Sequence, residues 1–544
     1  MTIVACFNLV DRPWVPVLVA GRPERLALRD LAEQPDAVDG LDLADALGAV
    51  AVLRQVLLPV WLDALGLPKD ALAWQRRLER PGDSTTRLLD YLDEHRSRFD
   101  LFSPTAPFAQ VAGLHTAKNE TKPVSLLQPD QPAGNNVPLF AARTEAQPPT
   151  LSPPDAALAL LVAQAVDTAA IKSGAVGDPR VLAGKTTGNP TGPVGQLGVI
   201  VPVGACFQET ISLNTPCSGA STDLTLGEPH WRRRPPPDAC WVEREASGLL
   251  DLLTWQSRRV RLLAEVHDGQ EVVVSRVVLT AGDRLRGLPE YEPHTAWRRE
   301  DKPKAGQSPQ RPLRHRSGIA VWRGLQSLLA TREASGAAQT SSLLLRQLAE
   351  LGDLQVISPD LRLQVLAVQV FYGNQFAVVQ DVFVDLIPLP ISALPEDNPV
   401  RELLVTVALQ AGELQKAANH LDDHLREAAG GERTPWDRSQ RLGDTLVQDL
   451  TPVVRRLLSG LQRDPEQVEA AGQAWRATAR QRSLTAAAQA LAAAPVRAFA
   501  GRTFHQGGRE WTVRLSVAEA AFGKALNDIL GPAARADQQE RADG

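Results

Sequence analysis

Two histidines four residues apart, His420 and His424, with Asp422 and Asp423 between them, are one of the few places where this chain could assemble metal chemistry. An i, i+4 pair lies on one face of a helix and suits a divalent cation. The Glu that follows the first His in zinc proteases is missing, and on a helix both aspartates project away from the line joining the imidazoles. An exposed polar helix face is the reading that fits. The doublet His267-Asp268 is like that of some metal phosphohydrolases, but it precedes Gly269 between two strand-like runs, where a hairpin turn explains it. A metal-dependent nuclease or phosphohydrolase would need His267, Asp268, His420, Asp422 and His424 to converge. Gly184-Lys185-Thr186 invites a phosphate-loop reading. That motif needs a glycine at the position of Pro179, which has no backbone N–H to offer a phosphate, so nucleotide hydrolysis is rejected. Cys6, Cys206, Cys217 and Cys240 lack the close spacing of a zinc or redox motif and read as reduced structural residues.

The glycines are a different signal. Between Lys172 and Gly198 stand seven of them in 27 residues, in KSGAVGDPRVLAGKTTGNPTGPVGQLG, with no His, Cys or Glu. The single Asp178 precedes Pro179 in a turn sequence. A run of this kind lets backbone approach a ligand closely without supplying catalytic groups, so it predicts a binding surface.

The elements that must position these residues follow from hydrophobic periodicity. Alternating Val15, Val17 and Val19 predict a strand, and Leu47, Val50, Leu53, Val56, Leu57, Val60 and Trp61 recur at helical spacing in core helices. Residues 99–150 are turn-rich and end in a long loop containing AGNNVPLFAAR. EVVVSRVVLT is the clearest strand by its β-branched content. Trp297–Arg323 carries eight basic against two acidic residues, which fits either a solvated basic loop or phosphate contact. After ALPEDNPVREL the alphabet becomes helical, with four amphipathic stripes and Pro399 placed for a first helical turn. The fold class expected is α+β: a large mixed α/β N-terminal domain over residues 1–395, followed by a C-terminal four-helix bundle over residues 396–544.

The net charge of −5, apolar content of 44% and charged content of 22% fit a globular protein and exclude one that coats nucleic acid over its whole surface. No run of about 18 apolar residues and no signal-peptide pattern is visible, so no membrane association is expected and the cytoplasm is the expected compartment.

Several segments in fixed order carry a resemblance: FNLVDRPWVPV, FDLFSPTAPFAQV, IKSGAVGDPR with its glycines, ISLNTP, GLLDLLTWQSRRVRL, EPHTAWRR and FYGNQFAVVQD. The set resembles the CasA family, the large subunit of the type I-E CRISPR surveillance complex Cascade, along essentially the whole chain. The resemblance implies a non-enzymatic subunit of an RNA-guided complex that reads the protospacer-adjacent motif (PAM) of double-stranded DNA from the minor groove and starts strand separation. Its implied partners are the CRISPR RNA-containing subunits of the backbone, the five-prime handle and the small-subunit row, together with target DNA and a helicase-nuclease recruited after R-loop formation. In the family a glutamine-bearing hairpin pries base pairs apart. Here Gln375 matches that wedge, flanked by Asn374 and Phe376. The family's glycine loop corresponds to Gly184 through Gly188, with Lys185 inside it, although the consecutive glycines of the family pattern are missing. The basic reader corresponds to Arg284 or Arg286 in AGDRLRG, where surface ion pairs are the competing explanation. Asn135, Asn136 and Phe140 correspond to the loop that docks near the five-prime end of the guide. LLAEVHDGQEVV lacks the cysteines of a zinc-like insertion found in some relatives, so no metal and no cofactor are expected. A purely structural helical scaffold remains the second alternative.

Overall fold

The computed structural model describes residues 6–129, 131, 149–218, 224–234, 236–267, 271–303, 308–330, 338–358, 360–373, 375–434, 441–506 and 509–532. The chain divides into two compact units, Met1–Ile319 with Ala330–Leu386, and Ala320–Leu329 with Ile387–Gly544. The fold is mixed helix and strand, as the patterning predicts, and its C-terminal part is helical.

In the first unit, strand β1 (Val15–Val19) buries Val15 and Val17 and pairs with β2 (Arg22–Leu26). The apolar stretch that follows forms α1 (Ala46–Val52), a π-helical turn (Leu53–Leu57) and α2 (Leu58–Leu65). Composition alone would let Leu43–Leu65 cross a membrane, yet 83% of its apolar window is buried inside the protein. Helix α3 (Pro153–Val166) is capped by Ser152 and buried along most of its length. Strand β3 (Val199–Val203) is nearly continuous in Val and Ile and buried from Val199 to Pro202. Strands β4 (Arg258–His267) and β5 (Glu271–Ala281) form an antiparallel hairpin in which His267 pairs with Glu271. Next to β5 runs the short strand Lys172–Ser173 in parallel, and this short strand also pairs with Lys185–Thr186. The glycine run is thereby fastened to a sheet at both ends of its hairpin. A second sheet has β6 (Gln364–Gly373) at its centre, with β3 on one side and β7 (Val378–Pro388) on the other.

Where the π turn widens the helix, Arg54 is buried in the core. Its guanidinium forks onto Glu292, with Nη1 to Oε1 at 2.6 Å and Nη2 to Oε2 at 2.9 Å. His294 Nδ1 lies 2.6 Å from Arg54 Nη1, and His294 Nε2 lies 3.0 Å from Asn214 Oδ1. Burial, then the Arg54 charge, lowers the His294 pKa to about 4. Burial also lowers His230, packed on Phe108, to about 3. Both histidines therefore take up a proton more readily in the unfolded chain, where the pKa is about 6.5. Their contribution to stability is complete above that value and is lost as pH falls through it toward 4. The thermal midpoint of the full chain is expected to decline from about pH 6.5 downward, and His230→Phe to reduce the slope. A decline that began only below about pH 4.5 would assign the effect to carboxylates instead.

Among the described residues the second unit contains four long helices, α4 (Pro399–Ala428), α5 (Leu442–Arg463), α6 (Val468–Ala492) and α7 (Leu515–Leu530). Leu404, Val407, Ala411, Leu414, Ala418 and Leu421 of α4 are buried at the spacing the sequence predicts. Between α6 and α7 the chain inserts a hairpin, β8 (Arg502–Gln506) with β9 (Arg509–Val513), which helical periodicity does not announce.

Candidate nucleic-acid interface

Strands β6 and β7 are rich in apolar and β-branched residues, β6 being buried from Val365 to Val370, and at the turn that follows β6 the Ala377 N–H donates to the Gly373 carbonyl at 3.1 Å. Gln375 and Phe376 have φ of +57° and +67°. Neither residue favours the left-handed region, which costs about 1 kcal/mol or more for each. Both side chains are exposed, Phe376 to 48%. The fold holds this turn from behind: the Ala169 N–H donates to the Phe376 carbonyl at 2.8 Å. At the root, the Tyr372 hydroxyl donates to Val166 O at 2.7 Å, and its ring lies 5.8 Å from that of Phe376. The tip is thus an exposed amide and an exposed ring on a braced backbone.

The glycine run forms a second projection. Leu182 and Lys185 exchange backbone hydrogen bonds at 3.0 Å, and the two residues between them, Ala183 and Gly184, have φ of +49° and +74°. This is a two-residue hairpin turn with both central residues left-handed, the geometry that suits the twist of paired strands. Gly184 faces open space where a side chain would stand, and Leu182 (78% exposed) and the Lys185 side chain lie on the same tip. Gly-Lys-Thr therefore leads into a strand, not the helix a phosphate loop requires. Gly188 is left-handed too, at φ +69°. Other glycines of the run are there for close packing within the protein: a Cβ on Gly192 would sit 2.3 Å from Ala165 O, and one on Gly195 2.1 Å from the Tyr372 hydroxyl.

Arg284 closes on this loop. Its Nη2 donates to Thr187 O at 2.6 Å, and its Nη1 lies 3.6 Å from where a Gly188 Cβ would be. Its guanidinium also covers the Trp241 ring at 3.9 Å. Arg286 instead donates to Glu243 O at 3.4 Å, one strand pairing further along. Among the described residues neither arginine forms an ion pair at contact distance, although the Glu243 and Asp178 charges act on Arg284.

One segment joins the two projections. Asp167–Ala170 follows α3, touches the Gln375–Phe376 turn through Ala169, and touches the glycine run through Gly192 N to Asp167 O at 3.0 Å and Asn189 Nδ2 to Ala170 O at 3.3 Å. Buried Arg258 holds it, donating to Asp167 Oδ2 and to the carbonyls of Asp167, Thr168 and Pro190, the last two at 2.8 Å. Lys172 Nζ adds a contact to Asp167 Oδ2 at 2.6 Å. Burial alone would raise the Asp167 pKa, but Lys172 and Arg258 together hold the carboxyl below its ordinary value. The pairings span up to 91 residues, which is why no local pattern in the sequence reveals them.

Asn374, Asn135, Asn136 and Phe140 lie outside the described residues, as does Asp268. His267 ends β4 in the first unit, while His420 and His424 lie in α4 of the second, with ring centroids 6.5 Å apart. Asp422 is engaged by Arg426 at 3.1 Å and Asp423 by Arg441 at 2.6 Å, and no group of three or more His, Cys, Asp or Glu able to hold a metal occurs among the described residues. The basic segment is partly spent on structure, since Arg314 donates to Val370 O and Arg311 pairs with Glu300. Sequence reasoning missed Trp241, Arg258 and Asp167; the signal available was the local density of Arg and Trp in CWVER and TWQSRR.

Comparison with known proteins supplies the context for this geometry. Residues 8–486 match the family model described as CRISPR-associated protein Cse1. A curated relative from Thermus thermophilus, CRISPR-associated protein CasA/Cse1, is 29% identical over 440 residues, covering 78% of this chain and 79% of its own. The crystal structure of Thermobifida fusca Cse1 is similar with a TM-score of 0.81 and 29% identity, over 96% of this chain and 98% of that one. A chain of a CRISPR RNA-guided surveillance complex shares the fold at 20% identity, with a TM-score of 0.62 over 89% of this chain and 98% of its own.

Proposed function

Because the chain belongs to the CRISPR-associated Cse1 family, we propose that it is the subunit of an RNA-guided surveillance complex that reads the PAM in double-stranded DNA and opens the first base pairs. The observation that carries this reading is the bracing of two exposed tips on one half-buried segment: the Gln375–Phe376 turn through Ala169, and the Gly184–Gly188 loop through Asn189 and Gly192. A PAM reader and a strand separator must act on adjacent base pairs, so they need a fixed mutual geometry. The glycine loop offers backbone and Lys185 to a minor groove, where readout is degenerate and a small set of motifs is accepted. The Gln375 amide inserts at the first step and replaces lost pairing hydrogen bonds, while the Phe376 ring stacks on the exposed base. Guide pairing then supplies the remaining specificity.

On this reading the protein recognises DNA without cleaving it, acts in the cytoplasm, and docks near the five-prime end of the guide through the loop that carries Asn135, Asn136 and Phe140. After R-loop formation it offers a surface to a helicase-nuclease. The test is target binding by the assembled, guide-loaded complex with and without this chain. Omission is expected to abolish high-affinity binding to PAM-bearing duplex. Affinity with the chain present is also expected to fall as salt rises, because phosphate contacts release counterions. Equal affinity in both assemblies would overturn the proposal.

A further inference from the structure

Trp241 is buried to 5% exposure, yet its ring is the meeting point of two cations. Arg284 lies 3.9 Å and Arg180 4.4 Å from the ring centroid. Its indole N–H donates to Asp178 Oδ2 at 3.0 Å, and its carbonyl accepts from the Arg180 guanidinium. Asp178 and Arg180 stand at one end of the hairpin whose tip is Ala183-Gly184, and Thr187-Gly188, where Arg284 binds, at the other. Trp241 with Arg284 therefore closes a ring of contacts around the base of that hairpin. We propose that Trp241 is a positioning residue for PAM reading: it acts through Arg284 to set the shape of the Gly184–Gly188 loop, and so determines how sharply PAM-bearing DNA is told from other duplex. The inference rests on the function proposed above.

The physical basis is specific to an aromatic face. A guanidinium over a ring is attracted by the ring quadrupole, most strongly where water is excluded. Among the described residues no carboxylate forms an ion pair with Arg284, although the Glu243 and Asp178 charges act on it from further away, and its Nε is buried without a hydrogen-bond partner, so ring and Thr187 carbonyl supply its direct contacts. Released from the ring, the guanidinium regains rotamer freedom, and the Thr187–Gly188 backbone loses the donor that restrains it.

The experiment uses the guide-loaded complex assembled with full-length Trp241→Ala, Trp241→Phe and Trp241→Leu chains. Affinity is measured on targets matching the guide with randomised flanking bases, and on the same targets with a pre-opened bubble. Trp241→Ala is expected to weaken binding to PAM-bearing duplex about tenfold and to narrow discrimination against other flanks by the same factor. Bubble targets should be almost unaffected. Trp241→Phe keeps a ring face and is expected to recover most of the loss, whereas Trp241→Leu keeps only apolar volume and is not. Equal recovery by Phe and Leu would reduce Trp241 to packing and overturn the inference. So would an unaltered Trp241→Ala complex alongside an impaired Arg284→Ala complex, and the PAM-reading proposal would survive that result. If Arg284→Ala and Gly188→Ala both bound normally, the PAM-reading proposal itself would fall.

Discussion

Gln375→Ala is expected to slow R-loop formation on linear PAM-bearing duplex about tenfold, while leaving a target with a pre-opened bubble nearly unchanged. The size follows from losing one well-placed polar contact at a base step, about 1–3 kcal/mol. The asymmetry between the targets follows from where the contact acts: a bubble has already lost the pairs that the amide must replace. Backbone strain provides an internal control. Ala at position 375 keeps a side chain in the left-handed region, whereas Gln375→Gly relaxes it. Both variants lack the amide and should be impaired alike. Stopped-flow measurement with a fluorescent base beside the PAM reads the opening step directly. Equal slowing on linear and bubble targets would remove the wedge role from Gln375.

The second large effect concerns stability. Arg54→Met should destabilise the first unit by about 3–5 kcal/mol, because Glu292, with a side chain 1% exposed, would be left as a buried charge without its cation. Combining it with Glu292→Gln should recover part of that loss, since no lone charge then remains. Denaturant unfolding of the full chain followed by tryptophan fluorescence measures both, with Trp14, Trp61, Trp74 and Trp231 reporting on the first unit. A loss below about 1 kcal/mol for the single variant would mean that water reaches Glu292 on replacement of its partner.

This network also explains what the sequence made readable. ISLNTP contributes Asn214, and EPHTAW contributes Glu292 and His294; these two segments of the resemblance meet in the core, whereas IKSGAVGDPR with its glycines and FYGNQFAVVQD lead into the exposed tips. FNLVDRPW is similar to the first two, with Asn8 binding Arg96 O and Trp14 fully buried. Recognition from sequence therefore rested partly on folding constraints and partly on the tips themselves. The β6–β7 hairpin was legible because two apolar, β-branched runs flank a Gly-Asn-Gln turn, and the bundle helices because their apolar stripes keep a helical period. The hairpin between α6 and α7 was not, since its ten strand residues fall between two helical patterns. The glycine run was half legible. Its density announced unusual backbone, but whether a given glycine serves a ligand or a neighbour depends on atoms far along the chain, as the carbonyl of Ala165 does for Gly192. Arg258, Asp167 and Trp241 escaped for the same reason, because a buried cation's partners are set by tertiary proximity.

The contact from Ala169 N–H to the Phe376 carbonyl has a mechanical consequence. A hairpin fixed only at its root behaves as a cantilever and yields at its end when loaded. This one is propped at its free end, so on the proposed function the reaction force from a resisting base pair would pass through residues 167–170 into the carbonyls that Arg258 grips. Little of the work done on the duplex would then be lost to bending the tool.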